Sequence, residues 1–223
     1  YDIEQKPDLI HAHSVFNGGL YAYFIAQEYK IPYVVTEHQP FILDRFSEYK
    51  KTLYKAALEN ANKAIAVSNH QKRSILQNGV KCSPVVVGNY IDETRFNLSA
   101  SFEDMETLRL LTVMYAQRIK GYETLFKGIN YVMKKGFTNF NLTVIGGNYN
   151  SLKEDDPDNP FLKEVKKYKL DKYVKLINFV SRKEMPSYYN NSDVFISTSI
   201  SETFGVSMCE SLISGNPVLS SKN

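Results

Sequence analysis

The chain has 223 residues, 43% of them hydrophobic and 23% charged, with a formal net charge of +3. Those values describe one large or two small globular domains, and so small and evenly spread a charge gives no reason to expect a nucleic-acid partner. Two distant cysteines, Cys82 and Cys209, make neither a disulfide framework nor a zinc site and fit a reducing, cytoplasmic setting, while no apolar run reaches the ~18 residues of a membrane span.

The elements follow in chain order. "DLIHAHS" (Asp8–Ser14) reads as a short strand, and "NGGLYAYFIAQEYK" (Asn17–Lys30) as a helix opened by Asn17 and two glycines. "IPYVVTEH" (Ile31–His38) is the next strand, followed by apolar residues at helical spacing from Leu43 to Ala61. "KAIAVS" (Lys63–Ser68) is a strand, "NHQKRSILQNG" a helix stopped by Gly79, and "SPVVVGNYID" a further strand and loop. The polar, aperiodic stretch around 98–107 is the expected linker, which divides the chain into domains at 1–97 and 108–223. The rhythm then restarts. Strand "LRLLTVMYA", a helix from Tyr122 to Lys135 and strand "FNLTVIGG" lead to a polar loop. A helix at 161–169, strand "YVKLINF" and a helix opened by the capping-box pair Ser181 and Glu184 come next. Strand "SDVFIST", a short helix and strand "NPVLSS" follow. Alternating strands and helices predict parallel α/β sheets with ligands at the carboxyl ends of the strands.

"SETFGVSMCE" (Ser201–Glu210) carries the chemistry. Glu202 falls in the loop off a buried strand, and Gly205 permits a tight turn into the helix "VSMCESLISG". The amides near Phe204, Gly205, Val206 and Ser207 would face the strand-end crevice, a ready seat for a diphosphate. Glu210, just over a turn inside, could accept both hydroxyls of a ribose. Taken alone, two surface acids eight residues apart are more often merely solvated.

The neighbouring motifs settle the reading. "YYNNSDVFISTSISETFGVSMCESLISGNPVLSS" resembles the donor-site signature of glycosyltransferase family 4, retaining enzymes of the GT-B fold. The family's E-x7-E pattern falls on Glu202 and Glu210, its "fG" on Phe204 and Gly205, and its "G-x-P-V" on Gly215 to Val218. "PDLIHAHS", "IPYVVTEH", "VVVGNYIDETRFN" and "KGYETLFKGI" extend the resemblance over nearly the whole chain. It implies two Rossmann-like domains facing across a cleft, both incomplete here. It also implies that a chain of only these residues would be poorly soluble or associate through its uncovered sheet edges and apolar faces, and would lack transferase activity.

By that resemblance Lys120 binds the donor diphosphate, Val180 offers backbone groups to the base, and His38 serves the donor sugar as a catalytic residue beside Glu202. The family arginine five residues before the lysine is Tyr115 here, which leaves either Arg118 as a substitute from the loop or a phosphate site with one cation, and the usual strand-end glycine is Asn178. The resemblance implies a nucleotide-sugar donor, a glycan or lipid-linked acceptor, and no cofactor or metal. Contact with the inner membrane face and oligomeric state stay open. The same fold serves nucleotide-sugar epimerases and glycoside phosphorylases, and a non-catalytic nucleotide-sugar-binding module is the alternative of another class. The pair His11 and His13 could suggest a metal, but too few further ligands follow. "EDDPD" (Glu154–Asp158) reads as a solvated, Pro-bearing loop, and the lysines of "KEVKKYKLDKYVK" (Lys163–Lys175) as a wet helix face.

Overall fold

The computed structural model describes residues 6–98, 106–147 and 154–222. Its internal contacts divide the chain into two units, Tyr1–Tyr90 and Ile91–Asn223. Residues 91–97 thus associate with the second unit, where Ile91 and Phe96 pack with Leu111, Tyr189 and Phe195. Most of the expected linker, 99–105, lies outside the described residues.

In the first unit four strands, β1 (Ile10–His13), β2 (Tyr33–Glu37), β3 (Lys63–Ala66) and β4 (Val85–Val86), form a parallel sheet in that order. The chain leaves β1 through a π-helical turn, Ser14–Gly19, before helix α1 (Leu20–Tyr29). The helix expected from Asn17 therefore starts three residues late. Val15 inside that turn is fully buried and its amide is held by Glu37, so a side-chain acceptor fixes the wider turn. Helix α2 (Glu48–Glu59) also begins later than its apolar spacing suggests. Leu43 and Phe41 are buried from irregular backbone instead, Phe46 packs on Tyr54 and Phe16, and Ser47 supplies the N-cap. Helix α3 (Asn69–Gln77) is capped by Ser68, whose hydroxyl accepts the Gln71 amide at 3.0 Å.

The second unit is a five-stranded parallel sheet in the order β7-β6-β5-β8-β9. Its strands are β5 (Leu108–Val113), β6 (Phe140–Ile145), β7 (Val174–Ile177), β8 (Val194–Ser197) and β9 (Val218–Ser220). Side chains alternate between two cores, as the two-residue period requires. Leu110, Phe140, Leu142 and Val144 meet helices α4 (Tyr122–Lys134) and α5 (Pro160–Tyr168) on one face. Leu111, Ile145 and Phe195 meet α6 (Met185–Asn190) and α7 (Val206–Ile213) on the other. Burying a side chain such as Phe126 or Phe140 is worth about 2–3 kcal/mol. Asp193 ties β8 to β5: its buried carboxylate accepts the Arg109 amide at 2.6 Å and pairs with the Arg109 guanidinium.

The lysine-rich helix α5 buries Phe161 and Val165 and pairs Lys163, Lys166 and Lys167 with Asp158, Asp171 and Glu164 at its wet face. The capping box is half formed. The Glu184 carboxylate accepts the Ser181 amide at 3.2 Å, but the Ser181 hydroxyl turns to the same carboxylate, and the regular helix starts at Met185.

The order of this second sheet matters for function. From β5 the chain builds outward through β6 and β7, then crosses back to place β8 on β5's other side. The crevice between the carboxyl ends of β5 and β8 is a topological switch point, where open α/β sheets bind ligands.

Candidate donor site and the histidine cluster

Two loops meet at the switch point. The one after β5 runs through a short 3-10 turn, Arg118–Lys120, into α4, and the one after β8 carries Glu202 into α7. They are stitched together: the Ile200 amide donates to the Ile119 carbonyl at 2.8 Å, and the Thr198 hydroxyl donates to the Gly121 carbonyl at 2.9 Å. Gly121 makes that approach possible. It sits at φ 67°, and a Cβ there would lie 1.9 Å from the Thr198 carbonyl oxygen. Gly121→Ala should therefore cost more than ~1 kcal/mol in stability from backbone strain alone. It should also displace Lys120, so that thermal melts and nucleotide titrations both report a loss.

The stitching sets Lys120 beside Glu202. Their ammonium and carboxylate lie 2.7 Å apart, both largely shielded from solvent, and the Ser199 hydroxyl donates to the same carboxylate oxygen at 2.7 Å. Lys120 also lines a cleft of about 370 Å³ together with Val113, Met114, Tyr115, Gly146, Val180, Val206, Ser207 and Glu210. Gly205, at φ 82°, precedes α7. The first amides of α7, Val206 and Ser207, come before its first intrahelical bonds, from Met208 and Cys209 to the Gly205 carbonyl. Glu210 lies a turn on, and its Oε2 accepts the Tyr189 hydroxyl at 2.8 Å.

The structure thus brings Lys120, Val180, Val206, Ser207 and Glu210 to one cleft, with Glu202 joined through Lys120. Phe204 and Gly205 shape the turn into α7 without lining the cleft. Arg118 is exposed and lies outside the lining. Arg95 and Arg182 line it instead, and the Arg95 guanidinium donates to the Arg182 carbonyl. Sequence reasoning missed both arginines. Arg95 precedes the strand rhythm by a long stretch, and Arg182 looks like a bystander inside the capping pattern. The acidic loop is largely exposed, as it reads, and from it Glu154 accepts the amide of Asn178, which lines the cleft, at 2.9 Å.

In the first unit the strand ends gather three histidines. His11 and His13 stack with ring centroids 4.5 Å apart, and a His13 ring nitrogen lies 2.8 Å from one of His38. Among the described residues no group of three His, Cys, Asp or Glu side chains is placed to hold a metal ion. The His13–His38 contact needs one ring to donate and the other to accept. Burial, then the His13 charge, lower the His38 pKa. Next to it the buried Glu37 accepts amides from Val15, His38 and Gln39 at 2.8, 3.0 and 2.9 Å, bonds that partly offset the rise burial imposes on its carboxyl. A histidine whose folded pKa is depressed takes up its proton more readily when unfolded. Stability should accordingly fall as pH drops below about 6.5, and His38→Gln should flatten that part of a melting-temperature profile.

Two Rossmann-like units, one with a cleft at its switch point that sets charged groups among apolar walls, define a protein of the GT-B type. The chain belongs to the family "Glycosyl transferases group 1", whose model matches residues 93–223, and "Glycosyltransferase Family 4" matches residues 3–95. It is 23% identical to the alpha-monoglucosyldiacylglycerol synthase of Acholeplasma laidlawii, a match covering 96% of this chain and 58% of that protein. It is 25% identical to the alpha-monoglucosyldiacylglycerol synthase of Streptococcus pneumoniae, covering 97% of this chain and 52% of that protein. The chain thus spans roughly half the length of the curated relatives it matches. Among solved structures, sucrose-phosphate synthase from Thermosynechococcus elongatus superposes with a TM-score of 0.79 at 21% identity, covering 96% of this chain and 55% of that one. Anabaena HepE, in complex with UDP and glucose, superposes with a TM-score of 0.78 at 20% identity, covering 96% and 59%. Among the described residues no helix is long and apolar enough to cross a membrane.

Proposed function

We propose that the protein transfers a sugar from a nucleotide-diphosphate sugar to an acceptor hydroxyl, with retention of anomeric configuration and without a metal ion. The observation that carries this reading is the cleft at the switch point, where the Lys120 ammonium, the first amides of α7 and the Glu210 carboxylate converge. Each suits one part of such a donor. The amides and Lys120 face the diphosphate, whose negative charge grows as the glycosidic bond breaks. Glu210 receives the ribose diol, and the backbone at Val180 receives the base. Glu202, held by Ser199 and Lys120, is set for a hydroxyl of the sugar. His38, by family resemblance, offers that sugar a neutral imidazole, the form its lowered pKa favours.

In the reaction, the acceptor oxygen bonds to the anomeric carbon on the face the diphosphate leaves. The bond from that carbon to the phosphate oxygen breaks, and the hydroxyl proton passes to the departing phosphate. No side chain is assigned as a covalent nucleophile. The complexes of HepE with UDP and UDP-glucose favour a uridine nucleotide. The diacylglycerol in the names of the two bacterial relatives favours a lipid-linked acceptor met at a membrane surface in the cytoplasm.

The test is a donor panel of uridine- and guanosine-diphosphate sugars with the full-length protein, diacylglycerol or glycan acceptors, and a chelator. Free nucleoside diphosphate together with a new glycoside is the expected result. An epimer, a sugar phosphate, or binding with no turnover would point instead to an epimerase, a phosphorylase or a non-catalytic module.

A further inference from the structure

Beneath the cleft lies a buried phenol that the proposed reaction does not use. Tyr189, on α6, is completely buried, packed against Phe96 and Phe195. Its hydroxyl donates to Glu210 Oε2 at 2.8 Å. Its backbone is fixed as well, because the buried Asn216 side chain donates to the Tyr189 carbonyl at 2.6 Å.

We propose that Tyr189 is a positioning residue for Glu210: it holds Oε2 and so presents Oε1 to the ribose diol. The inference rests on the reading of Glu210 as the ribose acceptor. A glutamate on the second turn of a helix has three rotatable bonds, and ordering them on binding costs affinity. A donor that engages one carboxylate oxygen beforehand removes much of that cost. The phenol suits the task because it has a single proton to give and is rigid in the core. Burial, followed by the adjacent Glu210 charge, raises its pKa, which keeps that proton in place over the working pH range. Asn216 belongs to the turn after α7, so that helix is tied to α6 both through its C-terminal turn and through Glu210.

A core tyrosine that only fills space predicts something different, and Tyr189→Phe separates the two because it keeps the ring and removes one oxygen. The measurement is calorimetric titration of the full-length protein with uridine and guanosine diphosphates and with their 2′,3′-dideoxy forms. For the nucleotide that binds, Tyr189→Phe should weaken the ribose form about tenfold and leave the dideoxy form within twofold. Glu210→Gln should show the same selectivity. Equal losses on both forms, or no loss on either, for Tyr189→Phe would mean a packing role and overturn the inference alone, provided Glu210→Gln still discriminates. A Glu210→Gln variant that does not discriminate would remove the ribose reading itself, and the inference with it. Should Tyr189→Phe fold poorly, a structure of the full-length protein with uridine diphosphate bound decides: the Tyr189–Glu210 bond intact with the ribose diol on Glu210 Oε1 supports the inference. A ribose diol on Oε2 with the phenol displaced would overturn it.

Discussion

Lys120→Ala will weaken nucleoside diphosphate binding by roughly a hundredfold while leaving nucleoside binding nearly unchanged. The ammonium is largely shielded, and its loop is fixed by Gly121 and Thr198, so a bound diphosphate would meet a cation already in place. Charge-assisted hydrogen bonds to phosphate in such a setting are worth about 1.5–3 kcal/mol each. Loss of the lysine also leaves Glu202 beside the ligand without its counter-charge, and that repulsion adds to the missing contact. A nucleoside lacks the phosphates and senses neither effect. Parallel losses for diphosphate and nucleoside would take Lys120 out of the phosphate site.

Glu202→Gln is expected to act in the opposite sense on binding. Lys120 is paired to Glu202 at 2.7 Å. Removing the carboxylate charge frees the ammonium and lifts a repulsion on the phosphates, so free nucleoside diphosphate should bind as tightly as before or tighter. Turnover with the sugar nucleotide should nevertheless fall by about a hundredfold, because a fixed acceptor aimed at the reacting sugar is lost. Its sugar selectivity should relax at the same time. Steady-state kinetics combined with nucleotide titration gives both readouts. If Glu202→Gln and Glu210→Gln lose ribonucleotide affinity alike, the division of roles between the two acids is wrong.

Much of this site is legible in the chain itself. Glu202, Gly205 and Glu210 are close in sequence, and the strand–turn–helix that carries them follows from an apolar run, a glycine and helical spacing. Lys120 is legible only through the ordered motif around it, since nothing in "RIKG" announces that the loop will be drawn to β8. Tyr189, Arg95 and Arg182 escaped because their roles depend on tertiary approach. "SYYNN" reads as one more buried helix face, and only the packing of α6 on α7 turns its second tyrosine toward Glu210. Arg118 shows the reverse error of proximity: two residues from Lys120 in the chain, it turns outward to solvent. Within the first unit, Leu43 and Phe46 have helical spacing yet reach the core from irregular backbone, Leu43 buried and Phe46 partly so, since Ser47 supplies the cap and the aromatic cluster with Phe16 needs only the Phe46 side chain. The short β4, only Val85–Val86, likewise reflects a strand end that finds few pairing partners rather than a weak propensity.

The most direct test of the central claim is a structure of the full-length protein with uridine diphosphate bound. The account predicts the diphosphate against Lys120 and the amides of Val206 and Ser207, the ribose diol on Glu210 Oε1, and the Tyr189–Glu210 bond unbroken. A nucleotide bound elsewhere, or one in the cleft with its ribose turned away from Glu210, would contradict it.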